Sequence, residues 1–253
     1  MQIDLNGRLA IVTGGAGQLG RVMVRTLARC GADVAVHFHR SADKAAELVR
    51  EVQSMGRRSL AVSADMASRE DVLALRDTVA RALGEVDIVV TNAVAQYEWK
   101  AVLDQGVEDF ESQFRTCVLQ NVLMAQAFVP SMARRGWGRV IAVNTECAMQ
   151  CAPSQGAYVS GKRGMDGLLR VLAKEVGPAN VTVNQVAPGW TISDRDRSAG
   201  SERQPEYEKN VPLRRRGEDQ DIANAVAFLA SDLAKFISGV YLPVCGGGVM
   251  PTI

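Results

Sequence analysis

The feature of this sequence that most constrains its fold is a glycine-rich octapeptide near its start. The octapeptide, TGGAGQLG at residues 13–20, follows the short apolar run 9–12 and opens a helical pattern that stops at Gly31. Glycines at such a junction let the backbone approach a pyrophosphate, whose charge the positive end of the helix attracts. A glycine cluster alone also occurs in ordinary tight turns. Its place in a leading strand–turn–helix unit favours a dinucleotide site.

Apolar runs that are typical of buried strands alternate with helical patterns along the chain. Strands are predicted at 9–12, 34–38, 59–62, 87–90, 139–143, 181–186 and 240–244. Helices are predicted at 19–28, 45–55, 71–83, 107–135, 158–175 and 219–229. Buried strands that are separated by helices form parallel sheets with right-handed crossovers. The sequence therefore predicts an α/β fold, a doubly wound parallel sheet with helices on both faces.

Length and charge narrow the class of protein. The 253 residues would fit one large domain or two small ones, and one domain over 1–253 fits best because no linker or repeat is evident. The 29 basic and 28 acidic residues are well mixed, which argues against nucleic acid as a partner. No run approaches the ~18 apolar residues that span a membrane. Five cysteines without zinc-type pairing predict reduced thiols, no metal site and a cytoplasmic location.

A tyrosine and a lysine, Tyr158 and Lys162, are four residues apart in a predicted helix and therefore share one face. An ammonium beside a phenol favours the phenolate and lowers its pKa from an ordinary value of about 10. Tyr158 is thus predicted to donate or accept a proton near neutral pH. Taken alone, the pair could equally be two surface residues of a packed helix.

The ordered motifs of the chain resemble those of the short-chain dehydrogenase/reductase family over nearly the whole sequence. In chain order they are the octapeptide, Asp65 after the third strand, Asn92-Ala93 after the fourth, Tyr158 with Lys162, Pro188-Gly189 after the sixth, and residues 244–247 at the end. The resemblance implies a Rossmann-type fold, a nicotinamide cofactor and hydride transfer between a carbonyl and an alcohol. It also implies a homo-oligomer, usually a tetramer and otherwise a dimer.

The same resemblance assigns catalytic roles. It implies that Tyr158 is the acid/base and that Lys162 tunes its pKa and binds the cofactor ribose. Thr145 stands where the family usually has serine and keeps a hydroxyl for the substrate carbonyl, although its methyl group crowds the site. Cys117 stands where the family has an asparagine that organises a proton relay, and a thiol replaces an amide poorly. Asn121, one turn later, is an alternative source of that amide.

Two further departures lie in the cofactor motifs. Gln18 replaces the middle glycine of the octapeptide, and Val94 replaces the glycine that ends the family's Asn-Asn-Ala-Gly motif. With Cys117 and Thr145, these departures predict a specialised active site. They also leave open a different class, a catalytically weak or inactive nucleotide-binding scaffold protein. The retained tyrosine–lysine pair opposes that alternative.

Cofactor choice is argued from charge at the end of the second strand. NAD-preferring members of the family have an acid there, which binds the ribose hydroxyls. This chain has Phe38, followed by His39, Arg40 and Ser41. With no carboxylate to repel it, a 2′-phosphate would be bound by Arg40 and Ser41, with His39 nearby. The sequence favours NADP(H) over NAD(H), unless Arg40 is simply a solvated arginine.

The resemblance places the site residues at the carboxyl edge of the sheet. The predicted cofactor residues are Gly14, Gly15, Gln18, Leu19, Gly20, His39, Arg40, Ser41, Asp65, Met66, Asn92, Ala93, Lys162, Pro188, Gly189 and Ser193. The predicted substrate residues are Gln96, Tyr97, Met149 and Trp190. The polar segment 193–212 is predicted to be a mobile lid. Its arginines, Arg195, Arg197 and Arg203, either meet an anionic substrate or face solvent.

The functional prediction is an NADP(H)-preferring oxidoreductase that acts on a small carbonyl or secondary alcohol. A 3-oxoacyl thioester reductase and a polar sugar or cyclitol dehydrogenase are both open as subtypes. The C-terminal residues 249–253 are apolar for a free tail, so they are predicted to pack against a neighbouring subunit.

Overall fold

A computed structural model describes residues 2–95 and 97–251, and within these ranges seven strands form one parallel sheet. The strands are β1 Leu9–Val12, β2 Asp33–Phe38, β3 Ser59–Ser63, β4 Ile88–Thr91, β5 Gly138–Val143, β6 Val181–Pro188 and β7 Tyr241–Val244. Their order in the sheet is β3-β2-β1-β4-β5-β6-β7. The chain thus winds outward from β1 in one direction and then from β4 in the other, which confirms the predicted doubly wound topology.

The helices follow the strands in the predicted alternation. They are α1 Gln18–Arg29, α2 Ala42–Ser54, α3 Arg69–Ala82, α4 Val107–Gln113, α5 Gln120–Arg135, α6 Cys147–Gln150, α7 Gly156–Val176, α8 Asp194–Ala199, α9 Pro205–Glu208 and α10 Asp219–Ala230. Short 3₁₀ turns cover Gly177–Ala179 and Asp232–Ala234. Within residues 2–95 and 97–251, no helix combines the length and the apolar character that crossing a membrane requires.

Side chains of the strands alternate between two apolar cores, one on each face of the sheet. Val12 and Val36 point to the core that α1, α2 and α10 cover. Ile11 and Ala35, their neighbours along the same strands, point to the core under α3, α5 and α7. This period of two is the geometry of an extended strand, and burial of both faces requires strands that are apolar throughout. The prediction of helices on both faces is confirmed.

The long helix predicted over 107–135 is confirmed as one continuous helical segment, but its turn Phe114–Leu119, between α4 and α5, is π-helical. A π turn inserts one residue into the helical ladder and is common at functional sites. Here α7 presses closely on the end of α4: a Cβ on Gly161 would lie 2.8 Å from the Gln113 carbonyl oxygen. The Asn121 amide also donates to the Cys117 carbonyl over 2.7 Å, so the turn has its own side-chain support.

The segment 193–212, which the sequence predicts to be a mobile lid, contains the helices α8 and α9, and we call it the strap. Ser193 and Asp196 form a reciprocal capping box at the start of α8. The Asp196 carboxylate also pairs over 2.7 Å with Arg216, whose side chain is completely buried. The aperiodic sequence hides this order because the ion pair that maintains it joins positions twenty residues apart.

Two of the strap's arginines are likewise paired within the protein. Arg203 binds Glu208 over 2.7 Å, and Arg197 binds Asp219 over 2.9 Å. Their charges are therefore largely committed to structure, which corrects the suggestion that they meet an anionic substrate. Arg195 is exposed on α8, in keeping with the alternative that was left open for it.

Candidate active site

The octapeptide forms a tight turn between β1 and α1 that tolerates only glycine at two points. A Cβ on Gly20 would lie 2.1 Å from the Gly14 carbonyl oxygen. Gly14 itself has φ +62°, and a Cβ there would lie 3.1 Å from the Asn92 side chain. Gly17 is the N-cap residue of α1 and has no side chain. The first backbone N–H groups of the helix therefore have no side-chain cap. Such a cradle fits a pyrophosphate.

A buried histidine that the sequence reasoning missed holds this turn in place. The His37 Nδ1 accepts a hydrogen bond from the Gly14 N–H over 2.9 Å, and its Nε2 lies 3.0 Å from the Ala64 carbonyl oxygen. Accepting at Nδ1 requires the proton on Nε2, and burial lowers the pKa of His37, which keeps the ring neutral. The sequence predicts His39 as a cofactor residue, because His39 follows the strand. A polar ring inside the apolar strand β2 was the signal available for His37.

The residues predicted to select the cofactor lie together at the end of β2. His39, Arg40 and Ser41 are all exposed, and the Ser41 hydroxyl makes no capping bond to α2. Their donors are thus accessible to a phosphate. After β3, Asp65 is exposed with one carboxylate oxygen bound to the Ala67 N–H, whereas Met66 is buried.

The ends of β1 and β4 are joined by one threonine. The Thr13 hydroxyl accepts from the backbone N–H groups of Asn92 (2.9 Å) and Ala93 (3.1 Å). The Asn92 side chain in turn donates to the carbonyl oxygens of Thr13 and Gly14. These bonds bring the octapeptide and the predicted Asn92-Ala93 motif to one point at the carboxyl edge of the sheet.

Gln18 connects the octapeptide to the segment that follows β6. Its Nε2 donates to the Ile192 carbonyl (3.0 Å) and to the Asp219 carboxylate (2.8 Å), and its Oε1 accepts from the Asp194 N–H (3.2 Å). We call this set of contacts the Gln18 bridge. The glycine that the family has at this position would make none of them.

Of the residues after β6, Pro188 is buried and Gly189 donates its N–H to the Val244 carbonyl over 3.0 Å. Ser193 donates through both its N–H and its hydroxyl to Asp196. Its donors are therefore used to cap α8 and are not free for a cofactor. Gly15 lies in the turn and is buried against β2, whereas Leu19 lies in the first turn of α1.

The predicted catalytic residues meet where α7 begins. The Tyr158 N–H, in the first turn of α7, donates to the Tyr97 hydroxyl over 2.8 Å. Lys162 is buried below it, with Nζ 5.7 Å from the centre of the Tyr158 ring and bound to the Val143 carbonyl over 2.6 Å. Thr145 is also buried, and its hydroxyl accepts from the Cys147 N–H.

The pKa of Tyr158 is shifted in the direction opposite to the one predicted from the sequence. Burial raises the pKa of Tyr158, and this effect outweighs the Thr145 hydroxyl, which lowers the same pKa. Burial also lowers the pKa of Lys162. The lowering of the Tyr158 pKa that the sequence predicts from Lys162 is outweighed in this structure by desolvation, which raises that pKa. The phenol is set up here as a proton donor.

Cys117 stands at the position of the family's relay asparagine. The side-chain amide of Asn121, the suggested replacement, is engaged in other hydrogen bonds. Cys117 is 1% exposed, and its thiol lies 3.9 Å from the Gln113 side-chain oxygen. Asn121 donates to the Cys117 carbonyl and accepts from the Thr91 hydroxyl over 2.7 Å. Both ends of the amide are therefore used within the fold. Asn121 supports the carbonyl of residue 117 and does not replace the missing side chain.

An open cavity of about 500 Å³ adjoins Tyr158 and Thr145. Its aromatic walls are Tyr97, Trp99, Trp190 and Tyr207, and we call it the aromatic cavity. The predicted substrate residues Tyr97 and Trp190 line it. Met149 is not part of the lining, because it lies on α6 whereas the cavity meets that helix at Cys147 and Gln150. Gln96 lies outside the described residues.

The sequence reasoning did not find two residues of the aromatic cavity, Glu146 and Tyr207. The Glu146 Oε1 accepts from the Tyr207 hydroxyl (2.8 Å) and from the Trp190 N–H (3.2 Å). The same Trp190 N–H also donates to the Tyr207 hydroxyl over 2.9 Å. The two rings pack edge to face at 5.5 Å. Burial raises the pKa of Glu146, against the hydrogen bonds of Tyr207 and Trp190, which lower it.

Elsewhere in the described part of the chain, no group of three or more His, Cys, Asp or Glu side chains is arranged to hold a metal ion. The site presents phenol, hydroxyl, ammonium and carboxyl groups around two recesses. One recess is the glycine cradle beside β1, and the other is the aromatic cavity.

Comparisons with known proteins agree with this geometry. A family model described as enoyl-(acyl carrier protein) reductase matches residues 14–248. The chain is 34% identical over 251 residues to a 3-oxoacyl-(acyl-carrier-protein) reductase of Staphylococcus epidermidis, covering 95% of this chain and 98% of that protein. It is also 34% identical over 251 residues to a 7α-hydroxysteroid dehydrogenase of Escherichia coli K12, covering 98% and 96%.

Solved structures show the same architecture. A 7α-hydroxysteroid dehydrogenase complexed with NADH and 7-oxo glycochenodeoxycholic acid superposes with a TM-score of 0.89 at 34% identity, covering 98% of this chain and 96% of that one. An NAD⁺-bound xylitol dehydrogenase superposes with a TM-score of 0.89 at 26% identity, covering 96% and 99%.

Proposed function

We propose, on the premise that this chain belongs to the short-chain dehydrogenase/reductase family, that Tyr158 is the acid/base of its reaction. Family membership makes the chain an oxidoreductase that acts on carbonyl or alcohol groups. The observation that supports the assignment is the position of Tyr158 beside Thr145, at the inner end of the aromatic cavity.

The residues divide the work as follows. A bound nicotinamide cofactor supplies the hydride in reduction and accepts it in oxidation. Tyr158, which burial keeps protonated, gives its proton to the carbonyl oxygen as negative charge develops there. The Thr145 hydroxyl donates a hydrogen bond to the same oxygen and so holds it within reach of Tyr158. The ammonium of Lys162 stabilises the phenolate that remains.

The test of this mechanism is Tyr158→Phe, which removes the proton and little volume. Turnover is expected to fall about 10²- to 10⁴-fold, the usual contribution of general acid–base catalysis. Binding of the cofactor should stay unchanged. Ser160→Ala is the matched control, because Ser160 is exposed on the same helix and its hydroxyl bonds only to the Gly156 carbonyl.

Two outcomes would contradict the proposal. A Tyr158→Phe enzyme with full activity would show that another group moves the proton. Binding of cofactor without turnover of any carbonyl or alcohol by the unmodified protein would favour the alternative, a nucleotide-binding scaffold.

We also propose that the cofactor is NADP(H) rather than NAD(H). The glycine cradle would hold the pyrophosphate, and the exposed Arg40 and Ser41, beside His39, would hold a 2′-phosphate. Asp65 and Asn92 line the same edge of the sheet and would face the rest of the cofactor. The NAD(H)-bound relatives make this preference a point to be tested.

Arg40→Glu tests the preference directly. Loss of a charged hydrogen bond, worth about 1.5–3 kcal/mol, should weaken NADPH binding about tenfold or more, with little effect on NADH. Calorimetric titration with both cofactors measures it. Arg50→Glu, an exposed change further along α2, is the control. Tighter binding of NADH than NADPH by the unmodified protein would overturn the preference but not the reaction.

We infer that the protein is a homotetramer or a homodimer in the cytoplasm. Exposed apolar side chains such as Phe114 and Phe236 support association of copies, and five unpaired cysteines support a reducing compartment. Light scattering gives the mass of the full chain and of a chain without residues 249–253. An unchanged mass after the deletion would contradict the role predicted for the C-terminal residues.

A further inference from the structure

The aromatic cavity carries one acidic group and no basic group. Among the described residues that line it, Glu146 is the only one with a side chain that is ordinarily charged at neutral pH. The remainder are aromatic rings, amides, hydroxyls, a thiol and small side chains. Any charge on a bound substrate therefore meets the field of a single carboxylate.

When Glu146 is ionised, no cation neutralises its charge. Glu146 is 3% exposed, and within the described chain it takes part in no salt bridge. Its Oε1 is held by the neutral donors of Tyr207 and Trp190, which stabilise the ionised form without cancelling its charge. Its Oε2 is buried and makes no hydrogen bond of ordinary geometry among the described residues, although the neutral Gln150 amide is near enough to lower the pKa of Glu146. A buried, uncompensated carboxylate acts over several ångströms, because the protein screens it weakly.

Two buried cations near this region belong to other partners. Arg216 stacks on the Trp190 ring at 4.6 Å, but it is paired with Asp196 over 2.7 Å. Lys162 donates to the Val143 carbonyl. Neither side chain lines the aromatic cavity. The cavity thus has no positive group to accept a carboxylate or phosphate on the substrate.

The walls of the cavity favour the opposite charge. Aromatic rings carry negative potential on their faces and attract ammonium groups, most strongly when these are desolvated. Trp99 stacks with Tyr158 at 6.3 Å, which places one such face directly beside the reacting group. Rings and carboxylate together form the kind of lining that binds organic cations.

We propose that Glu146 determines specificity, and that the substrate is a ketone or secondary alcohol that carries a protonated amine. The identity of the reaction rests on the proposed function above, whereas the charge preference concerns binding and is measured separately. Anionic substrates of the same size are disfavoured.

The experiment compares three cyclohexanols that differ in charge. Calorimetry measures the dissociation constants of 4-aminocyclohexanol, 4-methylcyclohexanol and 4-hydroxycyclohexanecarboxylate for the full chain, free and saturated with NADPH, with which alcohols cannot react. At pH 8.5, which favours the ionised carboxyl, the amine should bind at least about tenfold more tightly than the carboxylate, a difference of about 1.4 kcal/mol. The neutral compound should fall between them.

Glu146→Gln removes the charge with almost no change of shape and should abolish the difference between amine and carboxylate. Glu208→Gln is the matched control. Glu208 is another nearly buried glutamate, next to Tyr207 in sequence, but it is paired with Arg203 and does not line the cavity. This variant should keep the preference of the unmodified protein.

Equal binding of the three compounds, or tighter binding of the carboxylate, by the unmodified chain would overturn the proposal even if a variant failed to fold. An unchanged preference in a folded Glu146→Gln protein would also overturn it. Turnover distinguishes this inference from the proposed function. Preferential binding of the amine without oxidation by NADP⁺ or NAD⁺ would contradict the reaction and support the charge preference.

Discussion

The cofactor side and the substrate side of this site are built in different ways. The glycine cradle is a local structure, because eight consecutive residues form the turn and its conformation depends on the absence of side chains. The aromatic cavity is assembled from distant parts of the chain. Glu146 and Tyr207, which bond through their side chains, are 61 positions apart. A structure formed by consecutive residues can be predicted from the sequence, whereas contacts between distant residues can be identified only in the folded structure.

The two sides should also fail differently. Backbone packing at Gly20 leaves no room for a Cβ, so a substitution there acts sterically and severely. A single substitution in the aromatic cavity removes one side-chain hydrogen bond. The free energy of unfolding should therefore change by about the contribution of one hydrogen bond.

Gly20→Ala is expected to have the largest effect. Its Cβ would lie 2.1 Å from a backbone oxygen, which cannot move aside. Binding of NADPH and NADH should weaken at least about 100-fold, a cost of about 2.7 kcal/mol that is typical of overpacking. Calorimetry measures the loss.

Gly167→Ala is the control for that substitution. Gly167 lies in the middle of α7, and a Cβ on it would meet no atom within 4 Å. It should leave binding unchanged and raise the midpoint of thermal unfolding, since glycine costs a helix about 0.5–1 kcal/mol relative to alanine. Normal cofactor binding by Gly20→Ala would show that the cradle is less rigid than its geometry indicates.

Tyr207→Phe should have an intermediate effect. It removes the hydroxyl that donates to Glu146 and leaves a buried carboxyl with one donor fewer. The free energy of unfolding should fall by about 1–3 kcal/mol, while cofactor binding stays within a factor of two or so. Urea denaturation and cofactor titration measure the two quantities. Equal losses in both would mean that the two sides of the site are not separable.

Gln18→Gly removes the Gln18 bridge and restores the residue that is usual in the family. Three hydrogen bonds are lost from a partly exposed side chain, and water replaces them in part, so the cost to stability should be about 1 kcal/mol. Hydrogen exchange at the Asp194 amide should accelerate, and exchange at the Gly14 amide, which His37 holds, should not. Unchanged exchange at Asp194 would contradict the bridge.

The smallest effect concerns pH. Burial raises the pKa of Glu146 above its value in the unfolded chain, so the folded state binds a proton that the unfolded state has released. This contribution is complete below the unfolded pKa and is lost as pH rises through the folded one. Glu146→Gln has no such proton, so its stability relative to the unmodified protein should increase as the pH rises above the ordinary glutamate pKa of about 4.3. A constant difference above that pH would contradict the raised pKa.

The strands and the glycine turn could be predicted because each depends on a pattern within a few residues. The doubly wound order could be predicted because strands and helices alternate along the chain and crossovers are right-handed. The π turn at Cys117 could not, because it depends on the close approach of Gly161 from another helix. Nor could the raised pKa of Tyr158, since the spacing of tyrosine and lysine reveals their proximity but not their desolvation. The helices of the strap could not be predicted, because their contacts include an ion pair with Arg216, which lies outside the segment.

The Gln18 bridge has a consequence for building hybrids of related enzymes. The Gln18 side chain, in the first helix, forms hydrogen bonds with the backbone of Ile192 and Asp194. The segment after β6 is therefore matched to this particular amino-terminal turn. A chimaera that takes only the segment after β6 from a relative would keep Gln18 but change the partners of its side chain. A chimaera that takes only the amino-terminal turn would lose Gln18 and its hydrogen bonds to that segment. Recombination should therefore exchange the two segments as a set, with Asp219 included.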